Sequence, residues 1–61
     1  MEDLILLYPG LGDTVRVVDG GKFHFEEGRI VSFSNGQYGV VFEWDTDNTQ
    51  HFYEPMHLER I

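Results

Sequence analysis

Apolar and polar residues alternate with a period of two along much of this chain, and clusters of Gly, Asn, Asp and Pro interrupt the alternation. The pattern predicts short strands. It is clearest from Gly28 to Trp44, where Asn35-Gly36 supplies the pair that a two-residue type I′ turn requires. Counting outward from that turn sets Ser34 opposite Gln37, Phe33 opposite Tyr38, Ser32 opposite Gly39, Val31 opposite Val40, Ile30 opposite Val41 and Arg29 opposite Phe42. One face then carries Val31, Phe33, Tyr38, Val40 and Phe42. The other carries Ile30, Val41, two serines and Gly39. Apolar residues on both faces suit strands that curl into a small barrel, and Gly28 and Gly39 are places where such a sheet can bend.

Before the hairpin, Thr14 to Val18 reads as a strand with Val15 and Val17 inward and Arg16 outward, ended by Asp19-Gly20-Gly21. Lys22 to Glu27 is a short strand or a loop folded back over the barrel mouth, with one or both of Phe23 and Phe25 partly buried. After the hairpin, Asp45 to Gln50 reads as a loop and His51 to Glu54 as a strand with Phe52 pointing in. Met56-His57 then form one tight helical turn, and Leu58 to Ile61 pair as a last strand. The expected core is Val15, Val17, Ile30, Phe33, Val40, Phe42 and Phe52. At the start of the chain, Leu4 to Tyr8 is an apolar run without a clear period. It divides the chain into an N-terminal segment, 1–11, packed on or extending the barrel, and the barrel itself, 12–61.

Length narrows the possibilities. Sixty-one residues hold one domain with a modest core and no deep active-site cleft. With no cysteine, neither a disulfide nor a thiolate metal site contributes, so the aromatic residues must supply much of the core. Leu4 to Leu7 is too short to span a bilayer and follows no basic region, which predicts a soluble, cytoplasmic protein.

Charge changes the functional picture more than length does. Eleven Asp and Glu against four Lys and Arg give a formal net charge of −7. Direct binding to a phosphate backbone is therefore disfavoured, and a basic or neutral partner is favoured. No assembled chemistry accompanies this charge. His24, His51 and His57 lack metal-ligand spacing, and Asp45 to Thr49 lacks the glycine and the distal glutamate of a calcium loop. Ser32 and Ser34 have no activating base in view, and Gly10, Gly12, Gly20 and Gly21 do not lead into a phosphate-binding helix. No cofactor, metal, catalytic residue or small-molecule substrate is expected.

Gly12-Asp13-Thr14-Val15-Arg16-Val17 resembles the opening strand of many SH3-like barrels. Gly28-Arg29-Ile30-Val31, Asn35-Gly36 and Val40-Val41-Phe42 are similar to the KOW-type strand pair, and Phe52, Leu58 and Ile61 match the closing strands of the same fold. The resemblance implies an all-β fold, a five-stranded antiparallel SH3-like barrel with one short helical turn before the last strand. Within that superfamily the chain looks most like the small accessory barrels of photosynthetic electron transfer: the ferredoxin-docking barrel of the NDH-type complex, the small SH3-like barrel of photosystem I and the variable chain of ferredoxin-thioredoxin reductase. That likeness implies a non-catalytic accessory subunit whose loops dock on a larger protein or complex. Ferredoxin is acidic and so is this chain, so the likeness carries over docking and not ferredoxin as the partner.

On such barrels the long first loop lies near the loop between the third and fourth strands. The expected partner-binding residues are Phe23, Glu26, Glu27, Trp44, Asp45, Asp47 and Tyr53, with Phe25 and Tyr38 assigned to the core. Trp44 is the expected anchor, at the end of its strand beside an acidic loop. The alternative is a small acidic inhibitor of the phage type, which occupies a nucleic-acid-binding site of a host protein by presenting carboxylates in place of phosphates.

Overall fold

The structure is a computed structural model that describes residues 9–61. The segment Leu4 to Tyr8, expected to pack on or extend the barrel, lies outside the described residues. The described chain forms β1 (Thr14–Val17), β2 (Glu27–Ser34), β3 (Gln37–Phe42), β4 (His51–Tyr53) and β5 (Leu58–Arg60), with a single 3-10 turn, Pro55–His57, before β5. The fold is all-β. The strands make one antiparallel sheet in the order β4-β3-β2-β1-β5. Its edge strands β4 and β5 do not pair with each other, so the ladder is open and the 3-10 turn carries the chain between the two edges.

The central hairpin forms because Asn35 and Gly36 both accept positive φ, 53° and 76°, as a type I′ turn requires. Its first three pairs are those counted from the turn: Ser34 with Gln37, Phe33 with Tyr38 and Ser32 with Gly39. The register then shifts at Val31. Ile30 pairs with Val40, Arg29 with Val41 and Gly28 with Phe42, which corrects the unbroken register expected from the turn. The physical reason lies one residue further along, because an unbulged ladder would seat Arg29 beside Phe42 on the inner face. One extra residue at Val31 keeps the guanidinium outside and turns Ile30 inward, where its burial contributes roughly 2–3 kcal/mol. Gly28 then occupies the inner position opposite Phe42. A Cβ there would meet the Val41 carbonyl oxygen at 2.6 Å and Val40 Cγ1 at 2.8 Å.

Val15, Val17, Ile30, Tyr38, Val40, Phe42 and Leu58 form the buried core, with Phe23 and Tyr53 packed against it. Phe33 is not among them. It faces Tyr38 with ring centroids 4.8 Å apart but is 55% exposed, because β1 flanks β2 only along Glu27 to Arg29 and leaves the hairpin tip uncovered. Phe52 is likewise 52% exposed. Since Val40 faces in and pairs with His51, and Tyr38 pairs with Tyr53, the alternation along β4 turns Phe52 outward over Gly39. Among the described residues no helix is long and apolar enough to cross a membrane.

Candidate functional site

Two chain segments meet at one end of the sheet, the β1–β2 connection and the residues that follow β3. The connection is tied down by its backbone: His24 N–H donates to Gly21 O at 3.1 Å, Glu26 N–H to Phe23 O at 3.0 Å and Phe25 N–H to Val17 O at 2.6 Å. These bonds place Phe23 inward. Its ring packs 5.0 Å from Phe42, 5.0 Å from His51 and 5.9 Å from Trp44. Phe25 instead points out, 63% exposed, with φ at +72°. That position corrects its expected place in the core. The alternation of Phe23 and Phe25 is real, but a turn rather than a strand carries it, so only one ring reaches the interior.

After β3, Asp45 N–H donates to Phe42 O at 3.1 Å and closes a turn that swings Trp44 back over the strand end. The Trp44 ring lies nearly parallel to Phe42, 5.4 Å between centroids and 9° between planes. Its Nε1–H donates to Glu26 Oε1 at 2.9 Å. Core stacking and one hydrogen bond thus fix the orientation of an indole that remains 54% exposed.

Phe25, Glu26, Glu27, Glu43 and Trp44 line an open concavity of about 480 Å³. Glu43 N–H donates to Glu27 O at 3.2 Å, continuing the ladder and setting two carboxylate residues opposite each other, an arrangement that costs stability. Arg16 offsets one of them, with its guanidinium 3.1 Å from Glu27 and 3.2 Å from Glu59. Glu43 has no such ion pair among the described residues. It also borders a second concavity, of about 380 Å³, that includes Thr14, Arg29, Asp45 and Asn48.

Four of the seven expected partner-binding residues are therefore brought together: Phe23 beneath, and Glu26, Glu27 and Trp44 at the surface. Asp45 belongs to the neighbouring concavity, and Asp47 lines neither, its backbone N–H donating to Asp45 Oδ1 at 2.9 Å. Tyr53 lies on the inner face opposite Tyr38, 6.5 Å from Phe42, where burial and then the nearby charge of Asp19 push its phenol pKa up. Sequence reasoning missed Phe25 and Glu43. Glu43 carried a readable signal, since it follows β3 one step beyond Phe42. Phe25 carried none, because its exposure follows from a positive φ that no aromatic residue announces. Among the described residues no three of His, Asp and Glu come together as a metal ligand set. No protein-family model and no curated protein matches this chain.

Proposed function

We propose that this chain is a non-catalytic protein-docking module, an SH3-like domain acting as a cytoplasmic accessory or regulatory subunit that holds a basic or neutral protein partner. The observation that carries this reading is Trp44: a large ring, oriented by Phe42 and by Glu26, is left half exposed beside Glu27 and Glu43. Interfaces draw most of their energy from a few such anchors, and carboxylates around an anchor select a cationic surface. The test uses a partner captured from the native host and measures both rates on variants that fold normally. Trp44→Ala should raise the dissociation rate about tenfold or more by removing a desolvated anchor. Turning Glu43, which neither orients the indole nor pairs with Arg16, into lysine should mainly slow association, by an amount that shrinks as salt is raised. Unchanged rates in both variants would move the interface elsewhere on the molecule.

The net charge of −7 and the opposed Glu27 and Glu43 favour one further reading, an acidic inhibitor that occupies a nucleic-acid-binding site of its partner. Competition separates the two. If DNA or RNA displaces the chain from the partner in a salt-dependent way, the inhibitor reading holds, whereas a complex indifferent to nucleic acid supports simple docking.

A further inference from the structure

We infer that the concavity between Phe25 and Trp44 receives an arginine side chain of the protein partner, an inference that rests on the docking reading and names its chemistry. Phe25 is the first reason. Its φ of +72° lies in the region that favours glycine, and for a bulky residue it is a true outlier. The bonds that hold this turn, from Phe25 N–H to Val17 O and from Val17 N–H to Glu26 O, are backbone bonds, and although the ring touches His24 and Arg16 the residue stays 63% exposed. What the strained position achieves is an aromatic surface aimed at the solvent. His24 stacks on it at 4.2 Å with 19° between planes, and Gly20 N–H holds the His24 ring in place through Nδ1 at 2.9 Å.

Charge is the second reason. Glu26, Glu27 and Glu43 surround the two rings, and Glu43, set against Glu27 with no ion pair of its own among the described residues, presents a charge that a cationic guest would neutralise. The chain already contains the matching arrangement within itself: Arg16 lies 5.8 Å over the Phe25 ring while its nitrogens reach Glu27 and Glu59. Flat aromatic faces with carboxylates beside them suit a planar guanidinium, which stacks and forms paired hydrogen bonds. They suit a compact, strongly hydrated ammonium less well. The concavity is open rather than enclosed, as a side chain presented by another protein requires.

The experiment titrates the ¹⁵N-labelled chain with a capped glycine-flanked peptide carrying one arginine, and with matched peptides carrying lysine or citrulline. The arginine peptide should give saturable shifts at the amides of Phe25, Glu27 and Glu43 and at the Trp44 indole N–H. Lysine should bind several-fold more weakly, and citrulline should leave these signals in place. Trp44→Ala and Phe25→Gly should each weaken the arginine peptide about tenfold, the effect of losing one cation–π face with partial desolvation. Equal binding of lysine or citrulline, or undiminished binding by Phe25→Gly, would each overturn the inference. If no peptide perturbs these signals while capture of the protein partner still depends on Trp44, this inference falls and the docking reading stands.

Discussion

Phe42 is where core and surface meet. It is fully buried, 5.0 Å from both Phe23 and His51 and 5.4 Å from Trp44, so the exposed indole rests on a ring that the solvent does not reach. Phe42→Ala should cost roughly 3–5 kcal/mol, against a total of about 5–15 kcal/mol for a typical domain. A urea titration should show either a collapsed midpoint or an unfolded protein, and an unchanged midpoint would remove Phe42 from the core. Tyr53 makes a prediction about pH. Burial, and secondarily Asp19, raise its pKa in the folded chain above the ordinary value of 10.0, so the folded state keeps the proton that the unfolded state loses first. The contribution is complete below that ordinary value and disappears as pH rises through the folded pKa. Tyr53→Phe should therefore flatten the fall in stability above about pH 10, as followed by thermal melts across that range.

At the scale of elements, the hairpin is set by two local devices that act at opposite ends. The turn at Asn35-Gly36 fixes which residues face each other at the tip, and the bulge at Val31 re-sets that choice four residues later. Gly36 has φ at +76° and open space where a Cβ would sit, so only backbone strain opposes a side chain there. Gly36→Val should destabilise by roughly 1–3 kcal/mol and leave the Phe25–Trp44 concavity intact. Denaturation curves would report the loss and the Trp44 indole signal the intact site, and a silent substitution would mean that the turn is not held in this conformation.

For the whole molecule, a net charge of −7 on 61 residues sets compaction against self-repulsion. Among the described residues Arg16 binds two carboxylates and Arg60 lies 3.5 Å from Asp13. Half-exposed pairs of this kind contribute about 0–1 kcal/mol each and cannot offset the excess of acid. Salt should therefore stabilise the fold and, on the docking proposal, weaken binding to a basic partner. Raising sodium chloride from low to physiological strength shortens the screening length to about 8 Å, so the melting temperature should climb by about a few degrees while association with a basic partner slows. A melting temperature that falls with salt would show that attractive pairs dominate instead.

The succession of strands along the chain, the Asn35-Gly36 turn, the 3-10 turn before β5 and the inward set Val15, Val17, Val40 and Phe42 were legible in the sequence, because each follows from local rules of period two and turn chemistry. Phe23, Glu26, Glu27 and Trp44 were expected as a group because the resemblance to SH3-like barrels implies that the first loop lies near the loop after the third strand. What tertiary structure alone decided concerns register and coverage. Counting from the turn already set Arg29 against Phe42, but that the strand relieves this by a bulge at Val31, pairing Gly28 with Phe42 instead, was decided only by the packed sheet. Phe33 and Phe52 lie outside the core because the neighbouring strands are short or oppositely phased, and no residue in their own segments encodes the length of a neighbour. Phe25 faces solvent because the backbone bonds of Val17 hold its turn at a positive φ, a condition imposed across strands rather than along the chain.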